Sequence, residues 1–581
     1  MSDLQLGDDF GAPSQDDWLT AVEAALRGKS ADTLVSEDLA GFTRQPLYRE
    51  AEDSGLPGFA PFTRGAHAVN NKYLPWHIAQ RAVMGRKGVD NEALLTDLQG
   101  GVSALVLDFS ADRAALAGLD ALLDGVMLDI APLSLVPGAH GVQAANAVAE
   151  LLDARNVPVE AAGFLNLDPL GATLLYGDAG PQDDAALVAL AEKRPGLRLM
   201  TASGAAFHAK GAGVPQELGW MLAALTDYLR RLEAAGMAPA EALSKITLTL
   251  AADVDMFATL AKIRAARLLF ANIAAAVGAA DTAPQIHAET SLRAFADIDP
   301  WVNILRATAA ALGAGIAGVD LMCVAPCTAS SAADNVLTRR IARNTQIILQ
   351  EESHIGHVAD AAGGSFYVEN LTQQLAEAAW AEFQTIEAAG GLATALQGGT
   401  IDTALQAQID AYQRAIDTRA MPLVGVSEFP NLEEAPLQPT DSPIYRHAAG
   451  FEALRHAAQK AKPKVFMACI GEMADFTPRV NFAANLYAAG GLHAVNGEGG
   501  TDAQAIAAAF KKSTAKIAVI CAGDADYDAH AEAVAEALKT AGVVHLALAG
   551  KPRELDAIDA YCFVGCPALA FLTDIHAALG L

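Results

Sequence analysis

At 581 residues the chain is too long for one ordinary domain, and 52% apolar against 19% charged residues exclude a mostly disordered protein. Lys and Arg number 40 against 68 Asp and Glu, and the resulting net charge of −28 argues against nucleic acid as the main partner. Phosphate binding relies on clustered cations, which this balance does not favour.

Met1 to Gln15 is acidic and polar, with no basic start and apolar run, so no secretory signal is expected. Up to about residue 101 the chain is rich in turn residues. Pro46-Leu47-Tyr48 and the segment Pro57 to Phe62 cannot be regular helix, because each proline removes a donor and restricts its predecessor. Residues 1–101 therefore read as an N-terminal arm and the entry to a larger domain, with Met1 to Pro61 a candidate for wrapping a partner.

Over residues 102–391 short apolar runs alternate with long amphipathic stretches. The expected strands are Ala104–Asp108, Val126–Ile130, Val159–Phe164, Leu197–Met200, Ile246–Leu250, Gln285–Ala288, Ile316–Leu321 and, more weakly, Ser365–Val368. Segments such as Gly213 to Gly236 and Ala329 to Glu352 carry helical spacing between them. About eight strand–helix units over about 290 residues predict a (β/α)8 barrel; a doubly wound open sheet usually has fewer strands. The longest apolar stretch, Leu268 to Ala280, is too short to span a bilayer, so a cytoplasmic protein without a membrane segment is expected.

Residues 392–462 lose the strands and read as a connector, with Pro430 and Pro443 in its irregular part. From 463 to 581 a second alternation begins. Lys464–Ile470, Gly491–Asn496, Lys516–Cys521, Val543–Leu548 and Tyr561–Val564 are strand-like, with helices between and after them. Five short strands in about 120 residues predict a small flavodoxin-like domain, making the chain α/β throughout. The six cysteines, Cys323, Cys327, Cys469, Cys521, Cys562 and Cys566, lack zinc spacing and read as buried reduced thiols; no metal site is predicted.

Barrel enzymes place chemistry at the C-terminal ends of the strands. His208, His287, Glu289 and Asp320 are expected there, either as acid–base or anion-binding groups or as mouth residues satisfied by hydrogen bonds. No nucleophile elbow, zinc helix motif or P-loop occurs, and the glycine-rich stretches lack dinucleotide spacing. Arg339, Arg340 and Arg343 share one helix and read as solvent-facing or salt-bridged.

Several motifs, taken in order, carry a resemblance. Thr63-Arg64-Gly65 is followed by Pro75-Trp76-His77-Ile78, Ser203-Gly204 by His208, and His287-Ala288-Glu289-Thr290-Ser291 comes next. Ile341 to Gln346, Gln350 to Ser353 and Asp360 to Glu369 complete the set. Together they resemble the cobalamin-dependent methylmalonyl-CoA mutase family. That resemblance implies an acyl-CoA-binding (β/α)8 barrel followed by a flavodoxin-like cobalamin domain. In the family reaction, homolysis of adenosylcobalamin yields a radical that interconverts methylmalonyl-CoA and succinyl-CoA.

The departures from the family pattern are concentrated at the sites. The family's Asp-x-His-x-x-Gly, whose His ligates cobalt, falls here within Met473 to Val480, placing Asp475 or Thr477 at the ligand position, with no His from Gly471 to Leu492. Neither side chain substitutes well for imidazole at cobalt. The Ser-x-Leu position becomes Cys521-Ala522-Gly523, and the later Gly-Gly becomes Ala549-Gly550. In the barrel, His67 and Arg81 stand where the family has two tyrosines, Glu289 replaces a Gln, and Cys323-Val324-Ala325 replaces His-Thr-Asn. The family's substrate-clamping Arg is missing between Gly171 and Leu197.

The resemblance thus implies a chain with no catalytic residue, in which His67, Arg81, His208, His287 and Glu289 are remnants of a substrate pocket. It binds no cofactor itself and pairs with a large catalytic subunit that holds adenosylcobalamin. An active cobalamin-dependent acyl-CoA mutase with a divergent site, and an acyl-CoA-binding scaffold outside the mutase, are the other readings.

Overall fold

Eight parallel strands close into a barrel in the order β8-β1-β2-β3-β4-β5-β6-β7. They are β1 (His77–Val83), β2 (Ala104–Asp108), β3 (Leu133–Val136), β4 (Gly163–Leu167), β5 (Leu197–Ser203), β6 (Ile246–Ala252), β7 (Gln285–Thr290) and β8 (Leu321–Cys323). The structure, a computed structural model, describes residues 14–39, 41–331, 335–438, 440 and 442–581. Each strand alternates between two apolar environments. Leu105, Leu107, Leu133, Leu135, Leu248 and Leu250 point outward and meet the surrounding helices in one large core. Ala79, Ala104, Val106, Phe164, Leu321 and Cys323 point inward and form a separate cluster along the axis. Strands buried on both faces read as continuous apolar runs, as Ala104–Asp108 does.

Four strand expectations require correction. Val159 and Glu160 form an exposed turn, and the strand expected over Val159–Phe164 runs instead over Gly163–Leu167. The strand that completes the barrel is His77–Val83, inside the range read as arm and barrel entry; Ser365–Val368 is instead the start of a helix over Phe366–Ala388. The pattern around Val368 has helical spacing, since Val368, Leu371, Leu375 and Ala379 are buried on one stripe. Val126–Ile130 is a turn with Met127 and Ile130 exposed, and the strand lies beyond Pro132. Ile316 ends the helix Val302–Ile316, and Gly318 then takes φ +72°, so β8 begins only at Leu321. Asp320 therefore sits at the amino-terminal end of β8 rather than at the mouth.

The C-terminal unit is a five-stranded parallel sheet of β9 (Lys464–Cys469), β10 (His493–Asn496), β11 (Ile517–Cys521), β12 (His545–Ala549) and β13 (Ala560–Cys562). Its order, β10-β9-β11-β12-β13, is the flavodoxin-like 2-1-3-4-5 arrangement. One face packs on helices Ala503–Ser513 and Asp524–Thr540, the other on Met473–Ala489 and Ala568–Leu579. The latter core also takes in Tyr412, Ile416, Leu423 and Val426 of the connector and Ala296 and Ile298 of the barrel, so the two units share buried apolar surface.

All six cysteines are buried and reduced. Among the described residues no helix is long and apolar enough to cross a membrane. The helix Gln15–Ala25, capped by Ser14 and Asp17, contains no buried residue, while Met1 to residue 13 lie outside the described residues.

Candidate functional site

The motifs that match the family act here as framework. Arg64 Nε donates to Asp360 Oδ2 at 2.7 Å, and Arg264 reaches the same carboxylate at 2.6 Å and Glu369 at 2.5 Å. Ser54 of the arm also donates to Glu369. Trp76 Nε1 donates to Gln346 Oε1 at 3.2 Å, and Gln350 Nε2 donates to the Trp76 carbonyl at 2.9 Å. Residues separated by nearly the whole barrel sequence are thus tied by charge-assisted bonds at Asp360 and Glu369 and by neutral ones at Trp76, which fix the arm to the last barrel helices. Arg339 and Arg343 both pair with the buried Asp97, the salt-bridged role expected for that helix.

The positions that depart from the family find partners within the chain. At the carboxyl end of the barrel, Arg81 Nη2 donates to Glu289 Oε1 at 2.7 Å and lies 3.9 Å from Asp108 Oδ2. The Glu289 carboxylate, which alone would repel a dicarboxylic acyl group, is neutralised by that cation. Cys323 lies in register with Glu289, and burial pushes its thiol up to about 11. Half a turn down the axis, Phe164 meets His287 edge to face at 4.5 Å. His287 is in the middle of β7 rather than at its end. Burial, aided by the charges of Arg198 and His77, lowers its pKa to about 3, leaving it neutral. At the amino-terminal end Asp320 accepts from the Ile286 amide at 2.7 Å, and burial raises its pKa against the opposing charges of Arg267, Arg198 and His67. His67 is exposed on the side of Asp320, whereas Arg81 lies at the carboxyl end, so the two do not meet.

His208 belongs to a buried network. Its Nδ1 is 3.1 Å from Glu217 Oε2 and its Nε2 is 2.7 Å from Ser291 Oγ, with Asp253 at 3.5 Å. Glu217 in turn accepts from Lys262 at 2.7 Å and from the Ala251 amide at 3.0 Å. Lys262 and the hydrogen bonds outweigh burial and hold the Glu217 pKa down to about 2, while burial and Arg293 lower His208. Asp253 is paired with Arg293 at 2.8 Å, and that guanidinium stacks over Tyr412 at 4.9 Å. The connector closes over this group. Tyr445 donates its amide to the Ala209 carbonyl at 2.8 Å, His447 to the Arg293 carbonyl at 3.0 Å, and Arg446 bonds Asp297 at 2.8 Å. Sequence spacing identified His208 but not Glu217, Asp253, Lys262 or Arg293, which come from four other segments. A buried charged residue on each of two apolar helices was the only signal.

In the C-terminal unit, Asp475 and Thr477 lie within the helix Met473–Ala489, which starts three residues after β9 has ended and includes Pro478. Asp475 is exposed, and Thr477 Oγ1 donates back to the Met473 carbonyl at 2.5 Å. Cys521 is wholly buried in register with Cys469, its thiol pushed well up by burial. The Ala549 carbonyl accepts from Arg479 Nη1 at 2.7 Å and Tyr527 Oη at 2.8 Å. Among the described residues no group of three or more His, Cys, Asp or Glu could hold a metal ion.

The family model for methylmalonyl-CoA mutase matches residues 37–130 and 114–503. The chain belongs to the methylmalonyl-CoA mutase family. It is 39% identical to the methylmalonyl-CoA mutase small subunit of Streptomyces virginiae, over 100% of this chain and 98% of that protein. It is 32% identical to the small subunit of Propionibacterium freudenreichii subsp. shermanii, over 100% and 97% of the two chains. A probable small subunit of Mycobacterium tuberculosis (strain H37Rv) is 39% identical over 92% of this chain and 90% of its own. Within this mutase-family fold, Arg64, Trp76, Gln346, Asp360 and Glu369 tie the scaffold together, while Arg81, Glu289 and His208 bond to neighbours in the chain.

Proposed function

We propose that this chain is the non-catalytic small subunit of a heterodimeric, adenosylcobalamin-dependent methylmalonyl-CoA mutase of the cytoplasm. Its large catalytic partner subunit carries the interconversion of methylmalonyl-CoA and succinyl-CoA, a reaction of propionate metabolism. This chain stabilises the assembly.

The observation that carries the reading is that four of the five remnants of the barrel site, all but the exposed His67, are engaged by a neighbour in the same chain. Arg81 is held by Glu289 and Asp108, Phe164 and His287 cross the axis, and His208 is fixed by Glu217 and Ser291. Binding a substrate there would require breaking the half-buried Arg81–Glu289 ion pair and the buried hydrogen bonds of His208, which opposes binding. The cofactor fit is equally poor. Where the family presents an imidazole to cobalt, this chain has a helix with the exposed Asp475 and the self-bonded Thr477. No reaction step is assigned to these residues.

The test is a spectroscopic titration of the isolated chain with adenosylcobalamin, run beside co-purification with a large subunit. A stable one-to-one complex and an unchanged cofactor spectrum with the isolated chain are expected. Cofactor binding by the isolated chain with turnover of any acyl-CoA would falsify the reading.

A further inference from the structure

Two of the 13 histidines, His354 and His357, stand three residues apart on the segment between the π-helical turn Ile348–Glu352 and the helix Phe366–Ala388. Their rings stack, with centroids 4.4 Å apart and planes 19° from parallel. The backbone is the cause. His354 takes the left-handed conformation at φ +53°, which histidine adopts more readily than most side chains. It opens a 3-10 turn over Ile355–His357, in which the His357 amide donates to the His354 carbonyl at 3.0 Å. With three residues per turn, positions i and i+3 eclipse, so both imidazoles leave the chain on one side.

The base of this turn is fixed by packing. Gly356 is buried, and a Cβ there would lie 2.3 Å from the Cβ of Pro75, so the backbone is pressed against that ring. Ile355 packs on the barrel core, and just beyond the turn Asn70 Nδ2 donates to the Val358 carbonyl at 3.1 Å. The two intervening residues thus face inward while the two histidines face out. Both imidazoles are exposed, and neither has a hydrogen bond or ion pair among the described residues. A rigid turn therefore presents two rings whose own torsions are unconstrained.

We infer that His354 and His357 chelate one divalent first-row transition ion of the kind that favours imidazole, namely copper, nickel or zinc. Hard cations such as magnesium prefer oxygen ligands and are excluded by this donor set. Two metal–nitrogen bonds of about 2.0–2.1 Å place the nitrogens about 3 Å apart, which the exposed rings reach by tilting out of their stack. No third His, Cys, Asp or Glu completes the set among the described residues, so water fills the remaining positions. The net charge of −28 draws cations toward the surface. None of the five pocket remnants belongs to this site, and the inference is independent of the role proposed for the chain.

The full-length chain is dialysed free of metal and titrated with the chlorides of copper(II), nickel(II), zinc(II) and magnesium in a non-coordinating buffer. One high-affinity equivalent per chain is expected, tightest for copper and absent for magnesium. The electron paramagnetic resonance spectrum at one equivalent of copper should show coupling to two nitrogens. His357→Gln should weaken binding at least tenfold and leave coupling to one nitrogen. His354→Asn should do the same, since asparagine keeps the left-handed backbone while removing the imidazole. Melting curves of both metal-free variants should match the parent. Magnesium binding as tight as copper binding would overturn the inference, as would a copper signal without two nitrogens. So would copper affinity indifferent to both variants, which would mark the ion as adventitious.

Discussion

The carboxyl ends of the two sheets in this chain have been finished in opposite ways. In the barrel the polar groups are paired: Arg81 with Glu289 and Asp108 at a half-buried mouth, His208 with Glu217 and Ser291 in the interior, and the connector bonded across the adjoining loops through Tyr445 and His447. In the C-terminal unit the charges remain at an exposed edge, where Lys551 is unpaired among the described residues and Asp524 is largely exposed. The difference follows from solvation. A charge removed from water must be paired and hydrogen-bonded, as Glu217 and Lys262 are in the barrel. A charge at an exposed rim pays little for being alone.

The comparison breaks most readily in the barrel. Lys262→Ala strands Glu217 without its cation in a fully buried setting and is expected to cost about 3–5 kcal/mol. Urea unfolding checks it, and the Lys262→Met, Glu217→Gln pair should recover much of the loss. Phe164→Ala opens the axis beside His287 and should likewise cost about 3–5 kcal/mol, with no acyl-CoA binding gained by calorimetry. A variant that bound acyl-CoA would show the axis to be the only obstacle.

His208→Ala removes a partner from both Glu217 and Ser291 and should lower stability by about 1–3 kcal/mol. Turnover of the assembled enzyme should stay within a few-fold of the parent. A hundredfold fall with assembly intact would contradict the structural role given to this imidazole.

Acid should weaken the barrel as well. Burial lowers the pKa of both His287 and His447 to about 3, with Arg198 and Arg293 respectively adding to the effect. Between that value and the ordinary value of about 6.5 the unfolded chain binds more protons than the folded one, so stability rises with pH across this window. Each histidine contributes up to about 1.4 kcal/mol per pH unit there. Chemical denaturation at pH 7 and pH 5 measures the slope, which His447→Asn should reduce; an unchanged slope would mean that His447 titrates normally. The smallest effect is expected at the helix Met473–Ala489. Thr477→His should leave the spectrum of added adenosylcobalamin unchanged, since the imidazole would sit inside a formed helix rather than on a loop after β9.

The sequence by itself determined both units and most of their strands, because strand period, helix period and turn residues report local conformation directly. It also determined that the departures from the family fall at Arg81, Glu289, Asp475, Thr477, Cys521 and Ala549. Where it misplaced elements, the local signal was ambiguous. His77–Val83 includes Gln80 and Arg81, which look unlike a buried strand until Gln80 is seen donating to the Arg339 carbonyl and Arg81 pairing across the axis. Ser365-Phe366-Tyr367-Val368 has strand composition, yet the buried stripe through Leu371 and Leu375 makes it helix. What only the tertiary structure decided is which charged residues meet. Glu217 with Lys262, Arg293 with Asp253, and Arg479 with Arg553 around Tyr527 join segments far apart in the chain. A buried charge states that it needs a partner; only packing states which one.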